Sequence, residues 1–225
     1  MKRRPLRMLI TAGPTREYWD PVRFISNEST GTMGMACAEA ARRHGHQVTF
    51  IKGPVVPDPP DRIQTVSVTT ACEMLSVLKK KWPGSDALIM TAAVSDFRPQ
   101  KKSPEKIGKQ GKRIWSLKLV QNPDILKTLS VKKGSRCLAG FALETKKGIR
   151  RGWLKLKEKK LDVLVCNWAR RKKSPFGNNK VTVALLDKSG KARWLRGVYK
   201  KTVAKALVDK IEQICYQKRM KGGDL

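Results

Sequence analysis

Short, nearly unbroken apolar runs alternate with stretches of helical period along most of this chain. Residues 7–13, 47–52, 62–68, 87–94, 136–142 and 161–166 read as strands. Residues 32–43, 71–81 and about 148–160 read as helices, and Asn122 and Pro123 supply the N-cap and first helical position of another. Strand–helix alternation of this kind demands a mainly parallel sheet with right-handed crossovers. The pattern then changes. Residues 180–186, a turn at 187–190 and residues 191–195 read as an antiparallel hairpin. A closing helix over 201–216 carries Val203, Leu207, Ile211 and Ile214 at core spacing. The expected fold is therefore α/β: a Rossmann-like, mainly parallel sheet flanked by helices, with a C-terminal antiparallel hairpin extension. No repeat or low-complexity linker divides it, so residues 1–225 form a single domain, with 218–225 a frayed tail.

Charge limits the partners without choosing one. The 225 residues carry 49 Lys+Arg against 18 Asp+Glu, a net charge of +31 that attracts anions of every kind. The basic residues are spread along the chain, only 6% of residues are aromatic, and no nucleic-acid reader motif occurs. Nucleic-acid affinity is thus expected to be non-specific. The five cysteines lie far apart, mostly in apolar runs, as expected of buried reduced thiols. His44 and His46 stand between a helix and a strand without a further ligand nearby in sequence, which reads as a polar helix end. No run approaches the ~20 apolar residues that span a bilayer, so a cytoplasmic protein with no membrane partner is expected.

Two connections carry chemistry-bearing residues. The first strand ends in Thr11-Ala-Gly13, and Ser29-Thr-Gly-Thr-Met-Gly34 opens the first helix, where backbone N–H groups can meet anionic oxygens. Between them Arg16, Asp20, Arg23, Asn27 and Ser29 crowd one insert. The plain structural reading pairs Asp20 with Arg23 and has Asn27 and Ser29 cap the helix. After the fourth strand comes a lysine-rich stretch, 96–113, too polar for a core but leaving the sheet edge where open α/β folds bind ligands. An NADP-dependent oxidoreductase is the alternative on the same fold, with Lys52 facing a 2'-phosphate. Against it, G-x-G-x-x-G and any hydride-transfer dyad are absent.

The insert and its neighbours resemble phosphopantothenoylcysteine synthetase, the ligase of coenzyme A biosynthesis. The matching segments are Ile10-Thr-Ala-Gly-Pro-Thr-Arg-Glu17, Asp20-Pro-Val-Arg-Phe-Ile-Ser-Asn27, Ser29–Gly34, Ala92-Ala-Val-Ser-Asp96, Pro104-Glu-Lys-Ile-Gly-Lys109, Asn122-Pro-Asp-Ile-Leu126 and Gly140-Phe-Ala-Leu-Glu-Thr145. The resemblance implies ligation of 4'-phosphopantothenate to cysteine through an acyl-nucleotide, driven by CTP or ATP with Mg2+, CTP being favoured. It implies Lys106 as the lysine for acyl-nucleotide formation and Asn27 as the contact to the activated carbonyl. Met90, Thr91, Ala92, Asp96, Pro123, Asp124, Ile125, Leu126, Phe141, Lys155 and Lys159 would bind the nucleotide with Lys106. Arg23, Asn27, Ser29, Gly31 and Gly34 would bind substrate; metal ligands are not assigned. Gly108 replaces a lysine of the family's flap, with Lys101, Lys102 and Lys112 near enough to compensate. A homodimer is expected, with the 181–195 hairpin at its edge. No flavin is expected, so a separate decarboxylase would take the product.

Overall fold

The computed structural model describes residues 4–60, 63–108, 114–144, 148–168, 177 and 179–222. In chain order the elements are β1 (Arg7–Ala12), β2 (Arg16–Tyr18), β3 (Phe24–Ser26), α1 (Thr32–Arg43), β4 (Gln47–Lys52), β5 (Gln64–Ser67) and α2 (Ala71–Lys81). Then follow β6 (Ala87–Met90), β7 (Phe97–Pro99), β8 (Leu119–Gln121), α3 (Ile125–Val131), β9 (Cys137–Glu144) and α4 (Gly148–Glu158). The chain closes with β10 (Val163–Trp168), β11 (Val181–Asp187), β12 (Ala192–Val198) and α5 (Lys200–Gly222).

Eight strands form one sheet in the order β12-β11-β10-β9-β6-β1-β4-β5. The six strands from β10 to β5 run parallel, and β11 and β12 add the antiparallel extension. Its parallel strands are apolar on both faces because both are covered. In β1, Met8, Ile10 and Ala12 join the core under α1 and α5, while Leu9 joins the core formed with α2, α3 and α4. Ala87 and Ile89 against Leu88 and Met90 repeat the division in β6. The mainly parallel sheet expected from the sequence is thus observed.

The topology also fixes where a ligand goes. From β1 the chain moves to β4 and β5 on one side, then returns to β6 on the other. Such a reversal of strand order opens a crevice at the carboxyl ends of the two central strands. Here that crevice lies beyond Ala12 of β1 and Met90 of β6.

Three local expectations need correction. α3 begins later than Asn122-Pro123 suggests: Asp124 is the N-cap, its carboxylate accepting from the Lys127 N–H at 3.0 Å. Asn122 is drawn away, its amide donating to the Ser95 carbonyl at 2.8 Å and accepting from Arg98 at 3.1 Å. The closing helix does not fray at 218 but continues to Gly222. Lys218 and Arg219 anchor it, through Asp162 at 3.0 Å and Asp86 at 3.1 Å. Finally, His44 does meet further acids, because α5 brings Asp209 and Glu212 to it. Its Nδ1 lies 3.1 Å from Glu212 and its Nε2 3.7 Å from Asp209. Its two ring nitrogens thus face different carboxylates.

Candidate active site

The crevice holds a two-lobed cleft. The larger lobe, of about 590 Å³, is lined by residues 27–34, by Thr91–Val94 and Asp96 beyond β6, by Phe141 of β9, and by Lys155, Asn167 and Lys200. The smaller, of about 240 Å³, runs from Met90 and Ser95 to Pro123–Leu126 and Lys159. Ala92, Val94, Asp96 and Phe141 line both, so the lobes are continuous.

Close backbone approach builds the larger lobe. The N-cap of α1 is Gly31, whose φ of 73° is left-handed, and no side chain caps the helix. Its first-turn N–H groups therefore remain available to an anionic oxygen. A Cβ on Gly34 would come within 2.5 Å of Ala12 Cβ and 2.6 Å of Thr91 Oγ1. Only glycine lets α1 sit this near the strand ends. Thr91 is held by its hydroxyl on the Thr11 carbonyl at 2.5 Å, and the Thr11 hydroxyl donates to Met90 Sδ at 3.2 Å. Asn27 does not cap the helix; its amide donates to the Ala93 carbonyl at 3.0 Å, which holds it over the end of β6. Ser29 accepts from the Gly31 N–H at 3.4 Å.

The smaller lobe sits at the start of α3. Burial alone would raise the Asp124 pKa, but the Lys127 N–H and the Lys159 ammonium, 2.8 Å away, hold it below the usual carboxylate range. Lys159 is thereby fixed at the lobe's mouth. Burial lowers the pKa of Lys200, whose ammonium donates to the Gly177 carbonyl at 2.5 Å.

The insert and the flap, separate in sequence, form one unit. β2 pairs with β3, and β7 with β8 at the flap's root. The Arg23 guanidinium binds Asp20 at 2.5 Å and the flap's Ile107 carbonyl at 2.7 Å, while Asp20 accepts from the Ile107 N–H at 3.3 Å. Ser103 N–H donates to the Trp19 carbonyl at 2.8 Å, and Trp19 lies 6.2 Å from Trp115, centroid to centroid. Burial of Asp20 would raise its pKa; the guanidinium and the N–H groups of Val22, Arg23 and Ile107 outweigh this and hold the carboxyl far below the usual range.

Measured against the sequence, the cleft gathers Asn27, Ser29, Gly31, Gly34, Met90, Thr91, Ala92, Asp96, Pro123, Asp124, Ile125, Leu126, Phe141, Lys155 and Lys159. Two expected residues stand elsewhere. Arg23 is a strut between insert and flap and does not line the cleft; its expected pairing with Asp20 is present. Lys106, one residue before the tethered Ile107, is exposed and outside the lining. Lys109 and Lys112 fall outside the described residues, as does Thr145. Sequence reasoning missed Lys200, Ser95 and Asn167. Ser95 Oγ and Asn167 Oδ1 are buried without a hydrogen-bond partner, and each lines a lobe. Buried polar atoms of this kind are rare unless something else binds them.

Residues 4–215 match the family model described as the DNA/pantothenate metabolism flavoprotein C-terminal domain. The chain belongs to this family. It is 38% identical over 211 residues to the coenzyme A biosynthesis bifunctional protein CoaBC of Bacillus subtilis (strain 168), covering 93% of this chain and 52% of that protein. To the Escherichia coli (strain K12) CoaBC it is 41% identical over 165 residues, covering 72% of this chain and 41% of that one. The chain thus spans about half the length of the curated relatives it matches. Among solved structures, the C-terminal domain of a CoaBC superposes with a TM-score of 0.80 at 35% identity, covering 94% of this chain and 96% of that one. The complex of a Cab2 mutant with phosphopantothenate-cysteine shares the fold, with a TM-score of 0.77 at 18% identity over 97% of this chain and 89% of that one. The resemblance to a phosphopantothenoylcysteine synthetase-type domain therefore holds for family and fold.

Proposed function

We propose that this chain joins the carboxyl group of 4'-phosphopantothenate to the amine of cysteine, driven by a nucleoside triphosphate, with CTP preferred to ATP. The observation that carries the reading is the two-lobed cleft at the strand-order reversal, lined by the motif residues and holding two unpartnered buried polar atoms. The names of the CoaBC relatives point to the same pathway.

In the first step a carboxylate oxygen attacks the α-phosphorus and pyrophosphate leaves, giving a mixed anhydride. In the second the cysteine amine attacks the activated carbonyl, loses a proton and expels the nucleoside monophosphate. The nucleotide takes the lobe between Met90 and α3, its phosphates near Lys159 and Lys155 and its base near Phe141. The Asn27 amide, already aimed as a donor, is released from Ala93 to steady the oxyanion of the second step. Lys106 arrives from the flap and stabilises charge on the transferring phosphate. Asp96 lines both lobes and suits Mg2+, a hard cation that takes carboxylate oxygens. When bound, the ion neutralises phosphate charge. A homodimer belongs to this reading: among the described residues β12 is the outer strand of the sheet, the position at which a second sheet can add. So do a cytoplasmic location and a decarboxylase acting on the product; among the described residues no helix is long and apolar enough to cross a membrane.

The oxidoreductase reading loses its anchor, because the Lys52 ammonium donates to the Val56 carbonyl and pairs with Asp58, both at 2.9 Å. Thermal shift separates the two: CTP or ATP should raise the melting temperature and NADPH should not. The reverse result would overturn the ligase. Asn27→Asp should form the acyl-nucleotide and then stall, detectable by mass spectrometry of quenched reactions. Normal turnover by this variant would remove Asn27 from the second step.

A further inference from the structure

A second cavity, of about 840 Å³, opens between α3, α4 and the β11–β12 turn. It lies at the opposite end of the sheet, beside the first residues of β9 and β10. Five lysines line it: Lys133, Lys157, Lys160, Lys188 and Lys218, with Trp153 and Leu156 as an apolar wall. Its carboxylates are already committed. Asp187 pairs with Lys210, and the buried Asp162 behind the pocket is shared by Lys133, Lys188 and Lys218. Among the described residues neither Lys157 nor Lys160 has a carboxylate partner. Burial foremost, aided by Lys218 and Lys188, lowers the Lys133 pKa to about 8 despite Asp162. The pocket is therefore concave, cationic beyond its own compensation, and faced on one side by an indole.

We propose that this pocket is a second anion site, taking a small phosphorylated molecule with a planar ring. The phosphate would lie among Lys157, Lys160 and Lys188, and the ring against Trp153. A volume of this size suits a metabolite, lysines serve as point-charge phosphate binders, and an indole face favours a flat ring. An extended polyanion would instead need a continuous groove.

The test is a titration of the full chain with adenosine monophosphate at low ionic strength, followed by calorimetry and by tryptophan fluorescence. Two binding events are expected. The K157A/K188A pair, both side chains being exposed, should weaken one event by about tenfold and leave the other. Trp153→Phe should remove the fluorescence change of that same event. Lys79→Ala with Lys80→Ala removes equal charge from exposed positions of α2 and should change neither. If the two pairs weaken binding alike, the affinity is only the diffuse field of a basic protein and the proposal fails. It fails also if a single event is seen and K157A/K188A leaves it intact. Inorganic tripolyphosphate is the second probe: comparable binding of this ringless anion by wild type and Trp153→Phe, with no preference for the nucleotide, would overturn the ring contact.

Discussion

At the scale of single residues the cleft is built from small, committed contacts. Gly34 is legible in the sequence as a glycine opening a helix, but the reason for it is spatial: two atoms within 2.6 Å of a would-be Cβ. Lys106 is the reverse case. The resemblance singles it out, yet it stands exposed and outside the cleft lining. Lys106→Gln should therefore leave the melting temperature of the free protein unchanged while slowing pyrophosphate release by roughly 10²–10³-fold, the range for losing one transition-state electrostatic contact. Rapid-quench kinetics would show it. Lys200 and Asn167 were not legible, because each reaches the cleft from an element whose sequence carries no motif, and Ser95 stood inside the 92–96 motif with nothing in the sequence to mark its hydroxyl as buried. Only the folded chain shows that two of them hold buried atoms without partners.

At the scale of elements, helices 32–43 and 71–81 were fully legible, since twelve and eleven residues give helical periodicity room to show. The two ribbons β2–β3 and β7–β8 were not. Each of their strands has three residues, too few for an alternating pattern to stand out. Missing them hid the coupling of insert to flap through Asp20, Arg23 and Ile107. Asp20→Asn should loosen the flap, seen as faster amide exchange over 103–108, with a slower first chemical step. The pH dependence has a definite sign. The folded carboxyl of Asp20 titrates below its unfolded value of about 3.9, so its contribution is fully present above that value. It is lost as the pH falls from there through the depressed folded value. Exchange protection of the flap should accordingly be flat from neutral pH down to about pH 5, above both values. A loss of protection between pH 7 and 5 would contradict this role for Asp20.

At the scale of the molecule, the sheet's two-sided burial follows from strands apolar at successive positions, and the strand-order reversal then sets the cleft between β1 and β6. What the chain's large positive charge concealed is how unevenly its few acids are used. Asp162, with 2% of its side chain exposed, serves three lysines, one of them the buried Lys133. Asp162→Asn would leave that ammonium buried without its carboxylate, and urea unfolding should show a loss of about 3–5 kcal/mol. The ligase chemistry belongs to the cleft at the other end of the sheet. Its most direct test is pyrophosphate release from CTP by the intact chain with 4'-phosphopantothenate, with and without cysteine. Without cysteine a burst of about one pyrophosphate per active site is predicted, and with cysteine continuous release. Release independent of 4'-phosphopantothenate, or no release from either CTP or ATP with all substrates present, would contradict the account.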